Sequence, residues 1–390
     1  MPWKESDVRS ERISFVVRAR QPGSTIAALC REFGISRQTG YKWLRRFDQV
    51  GSLAELDELS RRPRHSPNRT PLEAELRVVE VRLQYGWGGR KLSHLLAAEG
   101  LDLASSTVDR ILKRYGLVRM DKRHRPALRR FERSHPMELL QMDFKGPYRL
   151  RGGGMCHPLS VLDDHSRYIL SLDALPSQHG HGVQSRLTRC FEHFGVPEAM
   201  LMDHGSPWWG TTNGHGLTRL GVFLIRQGID LIYGGVGHPQ TQGKVERFHR
   251  TLDEAIRHSG QPRSLEGFQS ALEGFRQVYN QIRPHEALGD QPPAGRYRPS
   301  RKPYQANPPN WEYPPGSEVK RLRGNGCVSL GGRDYFVCEA LKGEEVRWQR
   351  FGNKVLVSYR QMHVREIDLD SGRTTAVVRP ANPTNVSTMS

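Results

Sequence analysis

Glu138-Leu-Leu-Gln-Met-Asp-Phe144 and Ala199-Met-Leu-Met-Asp203 are the two stretches whose reading decides the fold. Each is a short apolar run that stops at a carboxylate, which is how a buried strand ends beside a loop. Further runs of this kind lie at 159–163, 168–172 and 229–233. Between them, Val183, Leu187, Phe191 and Phe194 recur at helical spacing before Gly195, and Leu265, Phe268, Leu272, Phe275 and Ile282 do so before Pro284. Strands followed by alternating helix and strand predict an α/β sheet with helices on both faces over residues 134–300. A third acid, Glu246, stands in His238-Pro-Gln-Thr-Gln-Gly-Lys-Val-Glu-Arg-Phe-His-Arg-Thr-Leu252, which reads as the start of a helix. Asp143, Asp203 and Glu246 are therefore candidate metal ligands. Carboxylates converging from two strands and a helix suit Mg²⁺, with Mn²⁺ as a substitute, and two such ions can cut and join phosphodiesters.

Working outward, the first third of the chain differs in charge. The 390 residues carry 59 Lys+Arg against 41 Asp+Glu, a net +18. Residues 1–133 hold 28 basic and 16 acidic residues, so 28 − 16 = +12 of that excess sits there. Such a front end implies a polyanionic partner, first of all double-stranded DNA. Ser24 or Thr25 begins a helix through Phe33, Gly34-Ile35 makes a tight turn, and Ser36 caps a second helix to Phe47. This is a helix-turn-helix within residues 1–58, with Arg37, Gln38, Thr39, Lys42 and Arg45 as the groups facing DNA. Gly40 inside the second helix counts against an ideal unit, at ~1 kcal/mol relative to Ala. A Pro-broken basic linker (59–70) supplies Arg61, Arg62 and Arg64. Helices over Leu72–Tyr85, Arg90–Glu99 and from Ser105 or Ser106 through Tyr115 form a second helix-turn-helix (71–118), with Arg110 and Lys113 outward. A second basic linker (119–133) carries Arg123 and Arg125.

At the other end, a Pro-rich linker (301–316) precedes short β-type runs at 327–330, 335–338, 346–349, 355–359 and 364–369. They predict a small β-barrel of SH3-like size over 317–373, followed by a disordered tail, 374–390, rich in Ser, Thr, Pro and Asn. The five cysteines form no CxxC pair, which argues for buried thiols of a reducing compartment rather than a disulfide frame or zinc site. No apolar run of membrane-spanning length and no signal sequence is present, so a cytoplasmic protein associated with the nucleoid is expected.

Several motifs carry a family resemblance. Gln141-Met-Asp-Phe144, Leu162-Asp-Asp-His-Ser-Arg167, Asp203-His-Gly-Ser-Pro207, the 238–249 segment and Tyr279-Asn-Gln-Ile-Arg-Pro-His-Glu-Ala-Leu288 resemble the catalytic-core motifs of integrase-type DDE transposases of bacterial insertion sequences, relatives of retroviral integrases. The resemblance spans roughly 20–300. It implies an RNase H-like core with Asp143, Asp203 and Glu246 as the catalytic, metal-binding triad. It implies a DNA transposase that binds the inverted-repeat ends of its element and cleaves and joins DNA to a target, assembled as a homo-oligomer. Lys244, Arg247, His249 and Arg250 beside Glu246 are then phosphate contacts, while Asp163 and Asp164 are read as turn-capping residues with Arg167 pairing locally. Two departures stand out: the Asp203–Glu246 gap of 246 − 203 = 43 positions is wide, with Trp208-Trp209 inside it, and His204 replaces the usual Asn. The rival readings are a catalytically silent DNA-binding regulator and an RNase H-like nuclease.

Overall fold

A computed structural model of the chain describes residues 8–51, 53–56, 70–118, 132–211, 216–234, 243–260 and 262–381. The chain divides into two compact units, Met1–Thr70 and Pro71–Ser390.

The first unit holds three helices, α1 (Val8–Ala19), α2 (Ile26–Glu32) and α3 (Arg37–Val50). Helix α1 lies ahead of the first helix expected at Ser24 or Thr25, and its buried residues Phe15 and Val16 sit among arginines that mask its apolar face. These two side chains close a small core with Leu29, Cys30, Trp43, Leu44 and Leu56. Ser36 caps α3, its hydroxyl accepting from Thr39 N at 3.1 Å, and Gly51 ends the helix in the left-handed region (φ 72°). Gly40 is not a defect of α3. A Cβ there would lie 2.6 Å from Cys30 Sγ and 2.9 Å from the Phe15 ring, so only glycine lets α1 and α2 approach this closely.

The second unit begins with α4 (Leu72–Tyr85), α5 (Gly89–Ala98) and α6 (Ser105–Arg114), packed through Val78, Val81, Leu92, Leu96, Val108, Ile111 and Leu112. Glu75 is fully buried yet satisfied, accepting from Arg114 and from Tyr115 Oη at 3.2 Å.

The core sheet then follows: β1 (Leu139–Phe144), β2 (Tyr148–Arg149), β3 (Met155–Asp163), β4 (Ile169–Leu175), helix α7 (Gly180–Phe194), β5 (Ala199–Met202), the short pair β6 (Trp209–Gly210) and β7 (Gly216–Leu217), α8 (Arg219–Arg226), β8 (Asp230–Tyr233), α9 (Gly243–Ser259) and α10 (Leu265–Gln281). The strand order is β4-β3-β1-β5-β8, with β2 also on β3. β3 pairs antiparallel with β4 and β1, whereas β1–β5 and β5–β8 are parallel. This is the RNase H-like arrangement. Side chains alternate between two faces. Leu140, Met142, Leu159 and Val161 meet α7 and α8 through Val183, Leu187, Leu220 and Leu224. Leu162, Leu172 and Ala174 meet α9 and α10 through Phe248, Leu252, Phe268 and Leu272.

The last part contains β9 (Glu318–Arg321), β10 (Cys327–Leu330), β11 (Arg333–Phe336), β12 (Glu345–Phe351), β13 (Lys354–Tyr359), β14 (Met362–Asp368) and β15 (Thr374–Pro380). Among the described residues it is an open antiparallel sheet, β15-β14-β13-β12-β9, with β10 and β11 as a separate hairpin. The expected barrel is not closed there, because β9 and β15 stay at opposite edges without pairing. Residues 374–380, expected as part of a disordered tail, are instead edge strand β15 on β14. Thr374, Thr375, Val377 and Val378 suit an extended edge despite the polar composition beyond them. This sheet shares a continuous buried cluster with the core, from Met200, Leu224 and Leu231 to Trp348, Val357 and Ile367.

Gly40→Ala should destabilise the first unit by about 1–3 kcal/mol, the range for overpacking, although alanine gains ~1 kcal/mol in an unpacked helix. Chemical denaturation resolved for this unit measures it; a variant as stable as wild type would mean that the helices separate without cost.

Candidate active site

The site is built from strand register. In the parallel pair, Leu139 lies opposite Ala199, Leu140 opposite Met200 and Gln141 opposite Leu201, a constant offset of 199 − 139 = 60. Carried two residues on, the same offset brings Asp143 beside Asp203 at the carboxyl ends of β1 and β5, the end of an open α/β sheet where ligands commonly bind. Asp203 follows β5 directly, and one of its oxygens accepts from Gly205 N at 2.9 Å. Helix α9 is fastened across this end by Gln141, fully buried, whose Oε1 accepts from Val245 N at 3.2 Å. Glu246 is the next residue, exposed in the first turn of α9.

The Asp143 carboxyl is pushed up to about 7. Burial is the largest cause, then repulsion from Asp203 and, more weakly, from Glu246, against the Phe144 N–H and Lys145. Asp143 therefore feels the charge of both other acids. Among the described residues, no group of three or more His, Cys, Asp or Glu side chains is gathered closely enough to hold a metal ion. The donor chemistry still fits one: the acids offer only oxygen, as hard divalent ions prefer, and the half-buried Asp143 carboxyl carries a like-charge penalty that a cation would relieve.

The neighbouring residues divide into those facing outward and those turned in. Arg247 and Arg250 are exposed on α9. His249 is not a phosphate contact as expected. It is buried, with Nε2 3.1 Å from Ser160 Oγ and Nδ1 3.7 Å from Asp143 Oδ2. Burial and Lys145 push its pKa down to about 4, so the ring stays neutral at physiological pH. Residue 249 is three positions past Glu246, but the apolar face of α9 through Val245, Phe248 and Leu252 draws it inward. Lys244, expected as a phosphate contact, likewise turns inward, its Nζ 2.5 Å from Asp164 Oδ2 and 3.1 Å from Asp164 O.

Asp163 and Asp164 make a knot under the sheet. Asp163 accepts from Met137 N (2.8 Å), Ser166 N (2.7 Å) and Ser166 Oγ (2.5 Å), and Asp164 from Arg133 N (2.9 Å) and Gln141 Nε2 (2.8 Å). Arg167 donates to the carbonyls of Asp164 and His165 and reaches Glu132 at 2.7 Å. These acids hold loops rather than face the site. Gln141, which joins this knot to α9, was not singled out in the sequence; its signal is a buried amide in an otherwise apolar strand.

The two tryptophans pack. Trp208 is buried on Phe144, ring centroids 5.5 Å apart, and its carbonyl accepts from Tyr233 Oη at 3.2 Å. Trp209 meets His204 at 4.8 Å and Tyr233 at 4.9 Å, edge to face. On the helical units Arg37, Gln38, Lys42, Arg45, Arg110 and Lys113 are exposed, while Thr39 is half-buried, its hydroxyl 2.9 Å from Ser36 Oγ. Arg110 donates along its own helix to Ser106 O and Thr107 Oγ1. Arg61, Arg62, Arg64, Arg123 and Arg125 lie outside the described residues. Among the described residues no helix is long and apolar enough to cross a membrane.

Comparisons with known proteins bear on the same regions. An integrase core domain family matches residues 227–293, a helix-turn-helix domain residues 11–64, and a homeodomain-like domain residues 39–112. The chain is similar to the transposase for transposon Tn552 of Staphylococcus aureus, 28% identical over 105 residues, which cover 25% of this chain and 20% of that protein. It is similar to an uncharacterized 39.2 kDa protein of insertion element IS476 from Xanthomonas euvesicatoria, 26% identical over 240 residues, 59% of this chain and 67% of that protein. Among solved structures it is similar to the HTLV-2 integrase catalytic core domain in complex with magnesium, at 14% identity and a TM-score of 0.33, covering 42% of this chain and 97% of that one.

A folded Asp143 keeps its proton to about pH 7, whereas an unfolded Asp releases it near 3.9. The metal-free protein should therefore lose stability as pH rises through that window, with the loss complete above it. In chelator at pH 8, Asp143→Asn should melt above wild type, by about 2–4 °C per kcal/mol relieved, and the difference should vanish toward pH 4. Equal melting at pH 8 would remove the electrostatic reading.

Proposed function

The chain belongs to the integrase-type transposases of insertion elements, and on that premise we propose that it binds the terminal inverted repeats of its element and catalyses divalent-metal-dependent DNA cleavage and strand transfer. One observation carries the reading: the 60-residue register that brings Asp143 beside Asp203, with Glu246 on the helix fastened to the same strand.

Asp143, Asp203 and Glu246 are the residues that would hold Mg²⁺ or Mn²⁺. The bound ions would lower the pKa of an attacking water or 3′-hydroxyl and stabilise the departing oxygen of an in-line displacement. The chain's own contribution is positioning. Gln141 aligns the start of α9 with β1, so that the charge of Glu246 is felt at Asp143. Ser160 and the neutral His249 back the Asp143 carboxyl from within the sheet. The neutral His249 ring keeps Nδ1 3.7 Å from Asp143 Oδ2, a packing contact beyond hydrogen-bond distance.

Arg247 and Arg250, exposed one turn apart on α9, would take DNA phosphates next to the reacting strand. The two helix-turn-helix units would read the element ends, with Arg37, Gln38, Lys42 and Arg45 on α3 and Arg110 and Lys113 on α6 toward DNA. Two tandem readers followed by a core suit a protein that acts on two DNA ends at once, so a homo-oligomer assembled on element and target DNA is part of the proposal. The C-terminal sheet would bridge DNA or subunits. The division into readers (1–58 and 71–118), core (134–300) and C-terminal unit (317–373) is kept as the working map.

Asp143→Asn, Asp203→Asn and Glu246→Gln should each lower cleavage and strand transfer by at least three orders of magnitude while binding to element-end DNA persists. Gel-resolved cleavage and joining of a labelled end duplex in Mg²⁺ measures both. Full strand transfer by any of the three would overturn the site assignment.

A further inference from the structure

The Tyr279–Leu288 block has no part in the chemistry above, and its residues point to a second task. Asn280 belongs to the fold: its amide brackets Ile169, Oδ1 accepting from Ile169 N at 2.9 Å and Nδ2 donating to Ile169 O at 2.9 Å. Tyr279 packs edge to face on Phe248 of α9 at 5.1 Å and on His285 at 4.6 Å. Arg283 is different. Its guanidinium lies over Tyr279 at 5.6 Å, with Nη2 3.5 Å from Thr251 Oγ1 and Nη1 3.4 Å from His285 Nε2, both at the limit of a hydrogen bond. Its Nε is buried with no hydrogen-bond partner, and no carboxylate lies within ion-pair distance of it among the described residues. Thr251 is one turn on from the exposed Arg247.

The second helix-turn-helix is held against this place at two points. Arg90 meets Asp290 at 2.7 Å and Glu286 at 3.2 Å, and His94 Nε2 lies 3.2 Å from the same Asp290 oxygen. At the far end, His258 of α9 hydrogen-bonds Leu83 O at 2.7 Å. The next residue after Arg90 is Lys91, half-buried and without an ion-pair partner among the described residues. Its pKa is pushed down to about 8 by burial and then by Arg283 and Arg247, with Glu254 and Glu286 opposing. The Arg283–Thr251 contact beside Arg247 and the Arg90 pairs with Glu286 and Asp290 beside Lys91 thus bring three cations from α5, α9 and the segment after α10 to one seam.

We propose that Lys91, Arg247 and Arg283 form a phosphate-binding site at the seam between the second helix-turn-helix and the catalytic core, occupied by a backbone phosphate of the bound DNA end. Crowded, partly desolvated cations carry a repulsion that an anion relieves, and a guanidinium offers it directional donors. The site would set the distance between the bases read by the second helical unit and the bond presented to the acids. It rests on the transposase reading for the identity of the DNA, not for the existence of the anion site.

The test uses the full chain and a duplex carrying the element's terminal repeat, with affinity followed by fluorescence anisotropy across a NaCl series. Each phosphate contact contributes about 0.9 to the slope of log K against log salt. Lys91→Gln and Arg247→Gln should each reduce the slope by about that amount without lowering the melting temperature, and Lys91→Arg should restore it. Arg283→Gln, whose side chain is packed, is read only if its melting temperature is kept. A duplex with single methylphosphonate substitutions should show one position at which wild type loses affinity and Lys91→Gln loses no more. Unchanged slopes in both Lys91→Gln and Arg247→Gln would overturn the proposal. So would a site that binds inorganic phosphate, seen as a thermal shift lost in Lys91→Gln, while DNA slopes stay at wild type. Asp143→Asn should keep the wild-type slope. If wild type neither cuts nor joins DNA but the slopes still change, the catalytic reading fails and the phosphate site stands.

Discussion

Everything at the candidate site hangs on the pairing of one central strand. β1 runs antiparallel to β3 on one side and parallel to β5 on the other. A shift of one residue would turn Leu140 and Met142 away from α7 and α8 and put the polar Gln141 amide on that apolar face, so the register is fixed. The same hydrophobic register that secures the sheet therefore sets two aspartates side by side at its carboxyl edge. Gln141 then extends the constraint out of the sheet. One face of its amide holds Asp164 and the other receives the first turn of α9. A single buried side chain thus ties the loop knot below the sheet to the helix that carries Glu246.

The acids near this strand divide by what surrounds them. Asp163 and Asp164 are fully buried but surrounded by N–H and O–H donors, which oppose the upward push of burial on Asp163, and Lys244 sits beside Asp164. Asp143 has fewer such donors, and burial with repulsion from Asp203 and Glu246 favours its proton. Perturbed carboxyls of this second kind are the ones that mark functional sites. A similar contrast separates the cations. Arg167 is committed to carbonyls and Glu132, whereas Lys91, Arg247 and Arg283 crowd together with incomplete compensation.

Much of this was legible beforehand because it depends on local pattern. The strands at 139–144 and 199–202, the helix at 72–85 and the cap at Ser36 follow from apolar runs, periodicity and a hydroxyl at the right place. What was not legible depended on partners distant in sequence. Helix α1 was hidden because its apolar face is interrupted by arginines. Gly40 read as a weakness because its reason is the approach of Phe15 and Cys30 from other helices. His249 and Lys244 read as DNA contacts because spacing along α9 does not say which residues the sheet will cover. The barrel expected at the C-terminus was an inference from strand number, and strand number does not dictate closure.

Sequence by itself determined the kind of elements, the identity of the three acids as candidates and the basic character of the front third, since these follow from residue type and from spacing within one segment. Tertiary structure alone decided which side chains meet. It aligned Asp143 with Asp203 through a ladder between strands 60 residues apart, turned His249 beneath Asp143, and brought Lys91 to Arg283 across 192 positions (283 − 91). The physical reason is that burial and pairing are properties of packed surfaces: a chain states its periodicities locally, but the charge and hydrogen-bond environment of each group is fixed only when those surfaces come together.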